Sequence, residues 1–140
     1  MPILRLAFAT LLVGLFALSQ SACSGTRVGV KEAESYNARP LKVYIPEGVS
    51  NAAAMRAAES GLTGRRWAVV GKSDDQITGE LSHQRFDATV NIRIEDGSLV
   101  LYSDSTYTNP QTQQVEAAVP YGWLENLQKD IQKIIVYEGR

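Results

Sequence analysis

The side chains able to do chemistry are few: one histidine, His83, one cysteine, Cys23, and carboxylates scattered through 140 residues. His83 follows Ser82, a pair that invites a hydrolase reading. Neighbours on a strand project to opposite faces, so hydroxyl and imidazole do not naturally bond, and no Gly-x-Ser-x-Gly turn surrounds the serine. His83 therefore reads as an exposed turn residue. Glu80, Asp87 and Asp104 could pair for acid and base work, yet their spacing is also that of any solvated sheet face. One histidine and one cysteine cannot assemble a His/Cys metal cluster. No catalytic residue, metal or cofactor is expected.

Polar residues along the last apolar stretch are more informative. Asn126 and Asp130 fall beside Trp123 and Ile134 at the edge of a helical stripe. Polar groups there are half-buried and need partners. Tyr102, Asp104 and Ser105, at the end of a strand, are candidates. The five residues form either a hydrogen-bond network fixing helix to sheet or the lining of a small pocket.

Cys23 belongs to a different segment. Arg5 precedes an uncharged run over 6–18, about 13 residues. That length suits a signal-peptide core and falls short of the roughly 20 residues that span a bilayer. Small and polar residues follow, Ser19-Gln20-Ser21-Ala22-Cys23-Ser24-Gly25. A cysteine placed there resembles the lipobox of bacterial lipoproteins, with Gln20 where that motif has Leu. The resemblance implies a diacylglycerol thioether on Cys23, cleavage just before it, and acylation of the new amino group.

Ala22 or Ser21 could instead serve an ordinary signal peptidase and release a soluble periplasmic protein, and a buried cysteine in an uncut chain is the third reading. A lone thiol in an oxidising compartment has no disulfide partner, which favours acylation. Two or three acyl chains, each contributing about 0.8 kcal/mol per buried methylene, anchor stably where one is marginal. Ser24, being other than Asp, implies by the same resemblance an outer-membrane address facing the periplasm.

Loss of the first 22 of 140 residues leaves 118, the size of one domain. Arg5 goes with them, so 13 Lys and Arg face 15 Asp and Glu, a net charge near −2. That balance argues against a nucleic-acid partner.

The remaining text reads as elements. Residues 23–40 mix Gly, Ser, Lys and Glu and predict a tether. Residues 41–45 alternate as a short strand closed by Pro46 and Gly48. Ser50 or Asn51 caps a helix with Met55, Ala58 and Leu62 on one face, and Gly64 stands at its stop. Residues 67–70 and 77–81 predict a hairpin, a turn lies near His83-Gln84-Arg85, and 86–95 alternates cleanly between apolar and polar. The wholly polar alternate set predicts an antiparallel, one-sided sheet. Asp96-Gly97 is a strong hairpin turn into 99–102, and 105–114 reads as a polar loop. From Pro120 onward Trp123, Leu124, Leu127, Ile131, Ile134 and Ile135 form one helical stripe. The fold expected is α+β: an antiparallel sheet of four or five strands with two helices packed on one face, a single domain over 41–140.

Three pieces, Arg66-Trp67-Ala68-Val69-Val70, Tyr102-Ser103-Asp104-Ser105 and Tyr121-Gly122-Trp123-Leu124-Glu125-Asn126-Leu127-Gln128-Lys129-Asp130-Ile131, resemble a family of small bacterial lipoproteins of uncharacterised function. Its pattern runs R-G-W-x-V, Y-x-D-S and Y-N-x-W-x-x-N-L-x-x-D-I. Arg66 replaces its Gly, and one residue fewer separates Tyr121 from Trp123. The resemblance implies an anchored α+β domain and brings no activity, substrate or cofactor. The function expected is a non-enzymatic interaction or ligand-binding module of the envelope, working through the open polar sheet face or the 105–114 loop. The membrane, through the lipid on Cys23, and an envelope protein are its expected partners. A small hydrolase using carboxylates near the last helix competes with this reading, as does a purely structural part of an envelope complex.

Overall fold

Gly29 accepts a hydrogen bond on its carbonyl from the Tyr121 amide at 2.7 Å, and with this contact the described chain begins. The computed structural model describes residues 29–138. Cys23, the expected signal segment and the first part of the expected tether lie outside the described residues. In order the elements are β1 (Val30–Lys31), α1 (Ala33–Ala38), β2 (Leu41–Tyr44), α2 (Asn51–Gly64), β3 (Ala68–Lys72) and β4 (Gln76–His83). Then come β5 (Phe86–Glu95), β6 (Ser98–Ser103), β7 (Thr106–Thr108), β8 (Val115–Ala117), β9 (Val119–Pro120) and α3 (Tyr121–Glu138).

The architecture is α+β with an antiparallel sheet, as the alternation and the helical stripe predict. Its main path is β2-β6-β5-β4-β3. Phe86, Ala88, Val90 and Ile92 of β5 are buried, and of the alternate set Asp87 and Arg93 are exposed and Thr89 and Asn91 half-buried. Asp96 (φ 48°) and Gly97 (φ 73°) are both left-handed, the backbone of a two-residue hairpin turn that matches the twist of its strands. Gln84 (φ 47°) and Arg85 (φ 68°) make the same kind of turn between β4 and β5 without glycine.

Two helices cover the apolar face. The Ser50 hydroxyl accepts from the Ala53 amide at 3.1 Å and caps α2. Ala54, Ala57, Ala58 and Leu62 of α2 and Leu124, Leu127, Ile131 and Ile135 of α3 share one core with Val43, Ile77, Val90, Ile92, Leu99 and Leu101 of the sheet. Each large side chain buried there contributes about 1.5–3 kcal/mol. The packing is close enough to demand glycine at two places. A Cβ on Gly61 would sit 2.5 Å from Ile131 Cγ1, and one on Gly79 would sit 2.7 Å from Leu62 Cδ2.

Three departures from expectation share a cause. Among the described residues there are three helices rather than two, the expected tether is folded from Val30 on, and the 105–114 loop is flanked by β7 and β8, so the sheet holds seven strands rather than four or five. A six-residue helix and three-residue strands carry no readable periodicity and are marginal alone; distant contacts hold them. The Tyr36 hydroxyl of α1, pushed up to about 12 chiefly by burial, donates to the Leu101 carbonyl at 2.6 Å. Asn37 donates from Nδ2 to the Ser103 carbonyl at 2.8 Å and accepts on Oδ1 from the Ser103 amide at 3.0 Å. Since β2 ends opposite Leu101, that carboxamide stands in for the strand missing beside Ser103. Residues 30–31 in turn pair with β9 as a separate two-stranded ladder.

Candidate functional site

The five polar residues predicted to converge do not. Tyr102 alternates with the buried Leu101, so it points to the face opposite the helices. There its hydroxyl donates to Glu95 Oε2 at 2.7 Å, and the Arg93 guanidinium lies 5.0 Å from its ring centre. The bond to Glu95 raises the phenol above its ordinary range. Asp104 is exposed, and its amide donates to the Thr89 carbonyl at 2.9 Å. Ser105 is buried: its Oγ accepts from the Thr89 amide at 3.1 Å and lies 2.8 Å from Ser103 Oγ. It completes the ladder where β6 leaves β5.

On α3, Asp130 takes Arg65 instead. Arg65 Nε donates to Oδ2 at 2.5 Å and a terminal nitrogen to Oδ1 at 3.2 Å. This bond holds the Asp130 carboxyl below its usual range and raises the guanidinium further. Among the described residues no hydrogen bond joins Tyr102, Asp104 or Ser105 to Asn126 or Asp130.

Asn126 does line a cleft. Arg65, Trp67, Leu81, His83, Trp123 and Asn126 surround about 180 Å³. Trp67 is buried where the chain passes from α2 to β3, its amide donating to the Leu62 carbonyl at 3.0 Å. Trp123, in the first turn of α3, meets Phe86 edge-on at 5.4 Å between ring centres and His83 at 6.0 Å. Phe86 also packs on Tyr107 of β7 at 4.9 Å. The aromatic rings fix one wall, and the ion pair with Asp130 fixes Arg65 on another. No hydrogen bond of the Asn126 carboxamide is found among the described residues. Indole and imidazole faces beside a guanidinium and a carboxamide suit a flat or apolar group bearing a hydrogen-bond acceptor.

Ser82 donates to Asp87 Oδ1 at 2.7 Å, not to His83. The polar sheet face is knit to itself: Thr78 donates to Asn91 Oδ1 at 2.8 Å beside the Tyr102–Glu95 and Ser82–Asp87 bonds. A larger groove of about 460 Å³ lies by Asn51, Met55, Arg56, Lys72 and Asp74, but Lys72 pairs with Glu59 at 2.5 Å and Arg56 with Glu138 at 3.6 Å. Near the last helix Glu125 pairs with Lys129 at 3.9 Å. Among the described residues no group of three His, Cys, Asp or Glu could hold a metal ion, and no helix is long and apolar enough to cross a membrane.

The sequence reading missed Arg65, Trp67 and Leu81; the first two reach the cleft from the connection after α2 and the third from β4. Both tryptophans of the chain line it, and that pairing was the available signal. Comparison of the chain with protein-family models, with curated proteins and with solved structures finds no match.

Proposed function

We propose that this protein is a lipid-anchored component of the Gram-negative outer membrane, facing the periplasm, that binds a ligand or an envelope partner and catalyses no reaction. The binding surface is the cleft at the start of α3. The observation that carries this is the union of both tryptophans, His83 and an ion-paired arginine around a cavity into which Asn126 brings an uncommitted carboxamide. The polar sheet face, preferred on sequence grounds, is weaker because its side chains satisfy one another. The anchoring half of the reading rests on the residues around Cys23 and on their resemblance to the lipobox.

The carboxylate hydrolase needs two carboxyl groups free to exchange a proton and set about 5–10 Å apart across a cleft. Asp130 is committed to Arg65 and depressed, so it offers no general acid, and Glu125 is ion-paired with Lys129.

A photoreactive amino acid at Asn126 tests the binding half in intact cells, with Gln132 on the exposed side of α3 as the reference position. Crosslinking to one defined species at 126, absent at 132 and lost in both Trp123→Ala and His83→Ala, supports the cleft. Equal crosslinking at the two positions, or crosslinking that survives both substitutions, refutes it. His83 is exposed, so its removal leaves the core intact.

A further inference from the structure

The chain reversals at the two ends of the domain differ in charge, with Asp87 and Glu116 one register step inside the first set and Lys72 beside the second. One end holds the chain reversals at 64–66, 83–85 and 109–114, which contain Arg65, Arg66 and Arg85 and no carboxylate. The other holds the reversals at 46–49, 73–75 and 96–97, which contain Glu47, Asp74, Asp75 and Asp96 and no Lys or Arg. The register places each group. His83 pairs with Phe86, Phe86 pairs with Tyr107, and Trp67 lines the cleft with His83. At the far end the Ile45 amide donates to the Gly97 carbonyl at 3.0 Å and the Ile94 amide to the Asp75 carbonyl at 2.9 Å. All four acidic residues are exposed, as are Arg66 and Arg85, and among the described residues neither of these two arginines has an ion-pair partner.

The chain joins the domain at the basic end. Gly29 is bonded to Tyr121, two residues before Trp123, whose ring lies beside His83. Six residue steps separate Cys23 from Gly29. Fully extended they reach about 20 Å. The ten residues of β5 alone run about 30 Å from the basic end to the acidic end. A chain attached at Cys23 can let the domain tilt, but it is too short to let the domain turn over.

We infer that the end formed by 64–66, 83–85 and 109–114 faces the bilayer, with Arg66 and Arg85 against anionic phospholipid headgroups and the acidic turns held away; this rests on acylation of Cys23, proposed above. Electrostatics and covalent reach favour the same orientation. Each arginine near an anionic surface is attracted and each carboxylate repelled, over a range set by the Debye length of about 8 Å at physiological salt. The cleft around Trp123 then opens close to the membrane, within reach of a partner held in that same membrane.

The test uses the acylated full chain in vesicles of phosphatidylethanolamine and phosphatidylglycerol, with a quencher on the lipid headgroup. A thiol-reactive fluorophore is placed in Gln111→Cys at the basic end or in Asp74→Cys at the acidic end. Quenching several-fold stronger at 111 than at 74 is expected. Arg66→Gln with Arg85→Gln should bring the quenching at 111 down to the value in phosphatidylethanolamine alone. Equal quenching at the two positions overturns the orientation, and an unchanged value in the double variant overturns the headgroup contact. Intact mass on the same sample separates the two levels. A chain without acyl groups overturns the anchoring and this inference with it, whereas an acylated chain with equal quenching overturns the orientation alone.

Discussion

Arg65 Nε and Asp130 Oδ2 lie 2.5 Å apart and tie the end of α2 to the middle of α3 across 65 residues of sequence. The pair is partly exposed, 41% and 30% for the two side chains, so solvent screens it and its worth is about 0.2–1 kcal/mol. It also holds the guanidinium at the mouth of the cleft.

Asp130→Asn should therefore cost no more than about 1 kcal/mol at neutral pH. Because the folded carboxyl is depressed, the stabilisation is present above the ordinary value of 3.8 and is lost as pH falls through the lower folded value. Urea melts at several pH values should show the variant and the parent converging in acid. A gap that persists there would place the effect elsewhere.

Gly61→Ala should be destabilised by about 1–3 kcal/mol, since the new methyl must displace Ile131 at the contact between α2 and α3. Gly64→Ala serves as the comparison. Nothing lies within 4 Å of its Cβ position, so helix propensity should dominate and stability should hold or rise. Equal loss in both variants would mean that the helices do not approach this closely.

Asn37→Ala should expose the edge of β6. Removing the carboxamide leaves the amide and carbonyl of Ser103 without their partner, a loss of about 1–3 kcal/mol. Hydrogen exchange at the Ser103 amide should speed up markedly, while the Leu101 amide, inside the ladder with β2, should change little. Unchanged protection at Ser103 would deny α1 its role as a strand substitute.

Much of the fold was legible because the longest elements are also the most periodic. The alternation of Phe86, Ala88, Val90 and Ile92 and the α3 stripe through Leu124, Leu127, Ile131 and Ile135 required only local reading. What escaped depends on partners far away in sequence. α1 exists through bonds from Tyr36 and Asn37 to residues about 65 positions later, and β7 is held by pairing with Phe86 and Asp87.

The site was half legible. Asn126 and Asp130 were found by projecting the helix, but their assignment to Tyr102, Asp104 and Ser105 overlooked a period of two. Tyr102 adjoins the buried Leu101 and must face away from α3. The partner of Asp130 is Arg65, a residue that no pattern within α3 could indicate.

The most direct measurement for the account is fractionation of cells expressing the parent chain and Cys23→Ser. The parent should be found in the outer-membrane fraction, its first residue Cys23 carrying acyl chains by mass, and the variant should move to the soluble fraction. A parent whose sulfur carries no lipid, or a variant that stays on the membrane, would contradict it.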